Sequence, residues 1–412
     1  MPPKKDNIEI QMRLFANDGE IESKIGQESE EDIQSFDKDS LSDSVLWGTD
    51  WTTETVVSQL KKKNIELSPS FQRRDAWADD RKSSFIESII LGLPIPQIIL
   101  AERKDKKGSY LVIDGKQRLL SLRQFCVTSD EDEFSALKLK NLTVLESLSG
   151  KTYRDIVSSP ELSDFHTAFE NQSIRTVIIK NWPNQNFLYT VFLRLNTGSL
   201  PLSPQELRQA LNPGPFTTYA DDYSFISSGI KRALNLKKPD YRMRDVEIIV
   251  RYFAFKNFIE NYNGKLKEFL DNTCYELNRD WDINPSKIEQ QAEKLEFSIN
   301  VTFEIFGDAA FSKFSDGKGF IGIFNRPVYD IMTFFFSEYE IGEAAIKNKE
   351  EVLNSFINLC VTDIDFTRSL ETSTKDMDAT VKRFNTWGHE LIRILGLKFP
   401  VPTKANRGIK LV

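Results

Sequence analysis

Two hydrophobic patterns divide the chain near residue 210. In the first part, apolar and polar residues alternate through 95–103 and 109–115, on either side of the polar loop KDKKGS, and again in Ser173–Lys180. Alternation of this kind, rich in β-branched residues, is typical of half-buried strands. We therefore predict two strands around the polar loop and a further pair of strands within Ser173–Lys180.

Helical spacing separates these strands. It predicts a helix capped at Thr49 or Asp50, a helix capped at Asp79 or Asp80 that ends at Gly92, a helix in 116–126, a helix at Asn186–Leu195 and a helix capped at Ser203. Ser203 is followed three residues later by Glu206, which is the spacing of a capping box. The first part of the chain is thus predicted to be mixed α and β.

Beyond about residue 240 the apolar residues recur with helical periodicity and strand signals are sparse. The whole pattern predicts an α+β protein, in which a mixed α/β N-terminal domain at 46–212 precedes an all-helical domain at 213–412. Residues 1–45 are acidic, rich in serine and poor in apolar residues. Such a segment cannot offset the entropy of ordering its chain, so we expect a disordered acidic tail there.

The net charge of −7 resides in that tail. Residues 1–45 contain 12 acidic and 5 basic residues, which leaves 49 of each sign in the rest of the chain. A neutral body neither requires nor excludes a polyanionic partner, so any such site has to come from a local cluster. The basic cluster of the second part comprises Lys231, Arg232, Lys237, Lys238, Arg242 and Arg244. A solvated face is the simpler interpretation of that cluster alone.

The three cysteines, Cys126, Cys274 and Cys360, are far apart and lie among apolar neighbours. This indicates buried reduced thiols rather than disulfides or a zinc site. No run of 18 or more uncharged apolar residues occurs, and the N-terminus lacks the apolar region of a secretory signal. We therefore expect a cytoplasmic protein with no membrane partner.

The segment IDGKQRLLSL at 113–122 carries the clearest chemical signal. An apolar strand ends in Asp114, Gly115 permits a tight turn, and a helix begins near Lys116 with free N–H groups. Together with the side chains of Lys116 and Arg118, these N–H groups suit an anion such as a phosphate. Asp114 suits three roles, since it can hold a metal ion, orient water or cap the helix. A structural cap and a phosphate site both fit this pattern.

Two further polar clusters, in FQRRDAW and in FLRLNTGSLPLSPQELRQAL, flank the motif in sequence. Their members are Gln72, Arg73, Arg74, Arg194, Asn196 and Arg208. If the three clusters share one pocket, these side chains complete an anion site. A structural role would instead demand carboxylate partners, for instance Arg73 with Asp114 or Glu206, because a buried guanidinium is costly without one.

At these residues the sequence resembles the N-terminal domain of GmrSD-type, modification-dependent restriction enzymes, a branch of the ParB/sulfiredoxin-like superfamily. The family pattern runs Gln-Arg, three residues, Trp; Gly-x-Pro-Ile-Pro; Asp-Gly-Gln-Gln-Arg; and Phe-x-Arg-x-Asn-x-Gly with Leu-Ser and Glu-Leu-Arg following. The matching residues are Gln72, Arg73, Trp77, Gly92, Pro94, Ile95, Pro96, Asp114 to Arg118, Phe192, Arg194, Asn196, Gly198, Leu202, Ser203, Glu206, Leu207 and Arg208. The helical part is similar to the family's usual continuation at 242–255 and 374–384.

The resemblance implies a ParB/sulfiredoxin-like fold for the N-terminal domain and an NTP with Mg²⁺ as its ligand. In the family, nucleotide binding or hydrolysis is coupled to recognition or cleavage of foreign, often modified, DNA in phage defence. The residues implied to contact the nucleotide are Gln72, Arg73, Gly115, Lys116, Gln117, Arg118, Arg194 and Asn196. Asp114 is implied as the catalytic residue and as the metal ligand.

Two departures from the family pattern bear on the chemistry. Lys116 stands where the family has glutamine; lysine still holds a phosphate, but any role in hydrolysis that needs an amide acceptor is lost. The only histidines, His166 and His389, lie outside any motif of the HNH nuclease domain that family members often append. Any DNA cleavage is therefore expected from the N-terminal domain or from a separate nuclease.

The leading hypothesis is a nucleotide-dependent phage-defence protein that binds an NTP and acts on or senses DNA. The alternative is a non-catalytic DNA-binding or regulatory module that works with a separate nuclease, in which the same cations hold a DNA backbone. A redox enzyme related to sulfiredoxin would need a reactive cysteine beside the motif. Cys126, among apolar neighbours, does not fit that requirement.

Overall fold

The computed structural model describes residues 45–65, 67, 74–184, 187–188, 191, 203–283, 285–371, 376–405 and 408–412. They form two compact units. The described part of the N-terminal unit runs from residue 45 to Pro213 and also contains Asp240–Met243, whereas the helical unit comprises Gly214–Pro239 and Arg244–Val412. The tail expected to be disordered lies, except for Val45, outside the described residues.

A four-stranded mixed sheet organises the N-terminal unit. Its strands are β1 Val45–Thr52, β2 Ile98–Glu102, β3 Tyr110–Asp114 and β4 Ser173–Lys180, in the spatial order β1-β4-β2-β3. β1 is antiparallel to β4, β4 is parallel to β2, and β2 is antiparallel to β3. The strand pair predicted in Ser173–Lys180 is wrong, since this segment is the single strand β4, and its partner β1 was not predicted.

Both faces of the sheet are covered, which explains why β2 reads as a nearly continuous apolar run. Ile98 and Leu100 of β2 belong to one core cluster with residues of several helices, and Ile99 and Ala101 belong to a second cluster that includes Leu207. The helices of this unit are α1 Thr53–Lys61, α2 Asp79–Ile90, α3 Lys116–Phe125, α4 Tyr153–Ser158, α5 Ser163–Asn171 and α6 Pro204–Leu211.

Capping residues fix where these helices begin and end. Thr52 caps α1, so the cap predicted at Thr49 or Asp50 is wrong, because both residues belong to β1. The cap predicted at Asp79 or Asp80 is also wrong, because both residues lie in the first turn of α2 and the N-cap position is Ala78, which makes no side-chain capping hydrogen bond. Gly92 follows the end of α2 with φ +69°, as a helix-ending glycine should. The predicted helix at Asn186–Leu195 lies mostly outside the described residues.

Glu87 on α2 is buried and anchors the loop at 143–145. Its carboxylate accepts hydrogen bonds from the N–H groups of Thr143, Val144 and Leu145 and from the Thr143 hydroxyl. Burial acts to raise the pKa of Glu87, but these donors outweigh it and the pKa is lowered. This carboxylate is therefore fully occupied by a structural role.

The helical unit confirms the predicted helical C-terminal part and the α+β class. Its helices are α7 Pro215–Ile226, α8 Ser228–Ala233, α9 Arg244–Phe258, α10 Leu266–Arg279, α11 Pro285–Phe306, α12 Arg326–Phe336, α13 Tyr339–Lys347, α14 Lys349–Thr362, α15 Ile364–Glu371 and α16 Met377–Leu395. Two short hairpins, β5 Ser312–Ser315 with β6 Gly319–Phe324 and β7 Pro402–Ala405 with β8 Gly408–Leu411, were not predicted.

Two ion pairs join α9 and α12 inside this unit. Arg251 Nη2 lies 2.5 Å from Asp330 Oδ2, and neither side chain is exposed. Arg326 Nε lies 3.0 Å from Glu247 Oε1 in an equally buried position. Buried charges persist only when they are paired and hydrogen-bonded. These pairs therefore explain why a hydrophobic helix such as α9 carries charged residues.

The turn Asp240–Met243 is held in the N-terminal unit by two side chains. Arg74 Nη1 donates to the carbonyl oxygen of Asp240, and Ser203 Oγ donates to that of Arg242 at 2.6 Å. Within the turn, Arg242 N–H donates to Asp240 Oδ1 and Met243 adopts φ +57°. A non-glycine residue in this conformation is strained, so the surrounding contacts have to hold the turn in place.

Candidate functional site

The junction of β3 and α3 has the geometry expected of an anion site. β3 ends at Asp114, Gly115 has φ +96°, and α3 begins at Lys116. The positive φ favours glycine, and a Cβ atom added at Gly115 would also lie in tight contact, 3.2 Å from Ile98 Cγ1 and 3.2 Å from Arg118 Nη2. Within the described part of the chain, no side chain caps α3. Its first N–H groups are thus oriented as a helix N-terminus that receives an anion.

Asp114 and Arg118 form an ion pair across the first turn of α3. Arg118 Nη2 lies 2.6 Å from Asp114 Oδ2 and also donates to the carbonyl oxygen of Gln97 at 3.1 Å. The Arg118 side chain is 8% exposed, and its Nε has no acceptor among the residues that the structure describes. Asp114 therefore binds Arg118 and does not cap the helix.

Lys116 is paired with Glu206 of α6. Nζ of Lys116 lies 3.1 Å from Oε1 of Glu206, and both side chains are 8% exposed. The other oxygen of Glu206 accepts from Ser203 N–H, while Ser203 Oγ accepts from Glu206 N–H, which is the predicted capping box. One carboxylate thus serves two elements, since it caps α6 and neutralises the cation at the start of α3.

Gln117 connects the motif with the segment before α2. With its amide nitrogen facing the carboxylate, Gln117 donates to Asp75 Oδ1 at 2.7 Å and accepts from Ala76 N–H at 3.3 Å. Asp75 also forms an ion pair with Lys82 and accepts from Trp77 N–H. The Gln-Arg-x₃-Trp segment and the Asp-Gly motif therefore meet at Gln117.

Comparison with known proteins agrees with this geometry. Residues 54–212 match the family model of the GmrSD restriction endonuclease, N-terminal domain. These residues are a GmrSD N-terminal domain. Neither a curated protein nor a solved structure matches the chain. The family indicates a role in restriction, and hence in phage defence, and it indicates an interaction with DNA.

The structure of the GmrSD domain brings together five of the predicted site residues, namely Asp114, Gly115, Lys116, Gln117 and Arg118. The other four, Gln72, Arg73, Arg194 and Asn196, lie outside the described residues, so their roles stay predictions. Arg208, from the same cluster as Asn196, is fully buried and donates to Gln205 Oε1.

The carboxylate partners were only partly foreseen. Asp114 contacts Arg118 and Glu206 contacts Lys116. Arg73, which was considered as a partner of either carboxylate, lies outside the described residues, so that pairing stays a prediction. The contact of Asp75 with Gln117 was missed. The sequence signal for this contact was the position of Asp75 directly after the Gln-Arg-Arg run, but an aspartate just before a helix is more often a helix cap.

The remaining nucleophiles and histidines of the described chain offer little chemistry. Cys126 is a buried free thiol like Cys274 and Cys360, which confirms the prediction for all three. Burial raises the pKa of Cys126 to about 12, which removes the thiolate that a redox enzyme needs. His166 Nε2 lies 3.0 Å from the Tyr153 hydroxyl and 3.1 Å from Glu170, whereas His389 is exposed on α16.

The described part of the chain contains neither a cluster of three potential metal ligands nor a membrane-spanning helix. No three His, Cys, Asp or Glu residues gather there in an arrangement that could hold a metal ion. Nor does any helix there combine the length and apolarity that crossing a bilayer requires. The basic cluster of the second part is divided between the two units. Arg242 belongs to the N-terminal unit, and the exposed Lys237 and Lys238 belong to the helical unit.

Proposed function

We propose that this chain is a nucleotide-dependent component of a restriction system, which binds the phosphates of an NTP with Mg²⁺ at the start of α3 and acts on or senses DNA. The observation that carries the proposal is the start of α3 itself. No side chain of the described residues caps it, it follows a left-handed glycine, and two cations, Lys116 and Arg118, lie on its first turn. Together with the helix dipole, these groups suit a polyphosphate.

The burial of the two cations favours a nucleotide over a DNA backbone as the ligand of this site. The side chains of Lys116 and Arg118 are each 8% exposed. The phosphates of a duplex are contacted over a broad surface, by Lys, Arg and polar side chains together with backbone N–H groups and helix N-termini. A narrow phosphate chain suits two buried cations better, so the alternative of a purely DNA-binding module is less well supported at this site.

Asp114 is suited to hold Mg²⁺ beside the nucleotide. Arg118 engages its Oδ2, whereas Oδ1 forms no hydrogen bond to any residue that the structure describes. Magnesium in nucleotide sites is commonly held by one or two carboxylates with phosphate oxygens and water, so a single Asp is sufficient. When bound, Mg²⁺ would neutralise phosphate charge. Asp114 would orient the attacking water, and Lys116 and Arg118 would stabilise the charge on the transferred phosphoryl group.

The test is release of phosphate from ATP, GTP, CTP and UTP with Mg²⁺, with and without duplex DNA, in wild type and Asp114→Asn. Asparagine still accepts a hydrogen bond from Arg118 but no longer carries the charge that holds the metal. We expect turnover to fall by about 100-fold, which corresponds to roughly 2.7 kcal/mol in the barrier, while nucleotide binding without Mg²⁺ is retained.

The matched control is Asp105→Asn, which changes an exposed aspartate paired with Arg103 and should leave turnover unchanged. A wild-type protein that binds none of the four nucleotides at millimolar concentration would refute the proposal. Binding without turnover would limit it to a nucleotide sensor, and salt-sensitive DNA binding in its place would move the assignment to the DNA-binding module.

Glu206→Gln is expected to tighten nucleotide binding. Glu206 competes with phosphate for the Lys116 ammonium group, and glutamine removes this competing charge while remaining a good third residue of a capping box. We expect a gain of about fivefold in affinity, roughly 1 kcal/mol. The measurement is the dissociation constant of a non-hydrolysable NTP analogue by titration calorimetry at fixed ionic strength.

Glu133→Gln provides the control, because Glu133 forms an exposed ion pair with Lys63. It removes the same charge elsewhere in the N-terminal unit and should leave affinity unchanged. If Glu206→Gln weakens binding although the protein remains folded, Lys116 does not exchange Glu206 for phosphate, and the role assigned to this pair is wrong.

A further inference from the structure

Arg383 on α16 is a fully buried guanidinium whose hydrogen-bond partners among the described residues are both neutral. Its exposed fraction is 0%. Nη1 donates to the carbonyl oxygen of Ser369 at 3.1 Å and Nη2 donates to Thr380 Oγ1 at 3.0 Å. Its Nε has no acceptor among the residues that the structure describes. By contrast, Arg251 and Arg326, which are equally buried, each contact a carboxylate.

The charge of Arg383 is therefore incompletely balanced. Asp330 is near enough to interact with it electrostatically, but both oxygens of Asp330 accept hydrogen bonds from Arg251. Asp376, the other nearby carboxylate, caps the start of α16. Burial lowers the pKa of Arg383, yet a guanidinium remains protonated in proteins, so the buried positive charge persists. Such a charge is costly unless a counter-ion accompanies it.

Two further donors near Arg383 are buried without an acceptor in the described part of the chain. Trp387 follows Arg383 by one helical turn, so the two side chains share one face of α16, and Trp387 Nε1 has no partner there. The Tyr262 hydroxyl, which interacts electrostatically with Arg383 and lies near the Thr380 hydroxyl, has no acceptor in hydrogen-bond geometry there. Trp387 and Tyr262 are 0% and 1% exposed. Native proteins rarely leave several buried donors unsatisfied.

We propose that the helical unit binds a compact inorganic anion of halide size against Arg383, with Trp387 Nε1 and the Tyr262 hydroxyl as additional donors. The chemistry of the cluster points to an anion because the three unsatisfied groups can all donate and one side chain is charged. A monatomic halide is the smallest common anion, so it suits a cluster in which all three side chains are almost fully buried. This site lies in a different unit from the start of α3, so it stands independently of the proposed nucleotide site.

The first test is the thermal midpoint Tm of the full chain in sodium chloride and in sodium gluconate at equal ionic strength, since gluconate is too large for the site. We expect Tm to rise by about 3 °C in chloride and to saturate in the millimolar range. Arg383→Met removes the charge and the donors at similar length, so it should abolish the difference between the two salts. Arg393→Met, an exposed position on the same helix that contacts Glu390, should preserve it.

The second test does not depend on a variant that folds. Crystals of the wild-type protein grown in sodium bromide should show an anomalous peak within hydrogen-bonding distance of the Arg383 guanidinium. Bromide only at surface lysines, or a water molecule at this position with no anomalous signal, would overturn the proposal. An equal effect of chloride on the Tm of wild type and Arg383→Met would overturn it as well.

Discussion

Replacing Arg118 with methionine is expected to weaken NTP binding by about 100-fold. The substitution removes a buried guanidinium whose hydrogen bonds to a charged ligand contribute roughly 1.5–3 kcal/mol each. It also leaves the Asp114 carboxylate without the cation that it contacts at 2.6 Å, and this uncompensated charge repels phosphate. The measurement is the dissociation constant of a non-hydrolysable NTP analogue, with circular dichroism to confirm that the variant is folded.

Arg123→Met is the matched control for this prediction. Arg123 lies on the same helix, near its end, and forms an ion pair of the same length with Asp132. The same substitution there breaks a comparable contact away from the start of α3, so affinity should stay within about twofold of wild type. Equal losses in both variants would mean that α3 stability, and not a phosphate contact, determines binding.

Asp330→Ala is expected to lower the free energy of unfolding of the helical unit by about 3–5 kcal/mol. The substitution removes the carboxylate that contacts the fully buried Arg251 guanidinium at 2.5 Å, and the buried charge then loses its closest partner. The free energy is obtained from urea denaturation followed by tryptophan fluorescence. Two of the six tryptophans, Trp281 and Trp387, belong to the helical unit and report on its unfolding.

Glu304→Ala is the control, because it removes an exposed ion pair of the same unit and its effect on the free energy of unfolding can be compared directly. Glu304 lies 3.1 Å from Lys349, and both side chains are about half exposed. Exposed pairs contribute little, so we expect a loss below about 1 kcal/mol. If Asp330→Ala costs no more than Glu304→Ala, relaxation or another partner compensates the charge of Arg251. The contribution assigned to the buried pair is then wrong.

Features that depend on a few consecutive residues were predictable from the sequence. Strand β3, the left-handed Gly115 and the start of α3 follow from one strand, one glycine and one helical repeat. The capping box of Ser203 and Glu206 follows from their spacing. In the same way, helical periodicity predicted the C-terminal part, because amphipathic spacing is visible within a window of some 15 residues.

Features that depend on distant partners were not predictable. β1 has weak alternation and gains its hydrogen bonds from β4, which lies far along the chain. Lys116 and Glu206 are 90 positions apart, and no local pattern assigns a lysine to one of several carboxylates.

The turn Asp240–Met243 limits how the GmrSD domain can be exchanged between proteins. A recombination event with a single breakpoint after Pro213 would transfer the domain without this turn. Arg74 and Ser203 would then lose the carbonyl groups to which they donate. Recombinants that carry the chain through Met243 would keep both acceptors. We therefore expect the segment that is exchanged between proteins to extend to Met243. It then includes residues 214–239, although they belong to the helical unit.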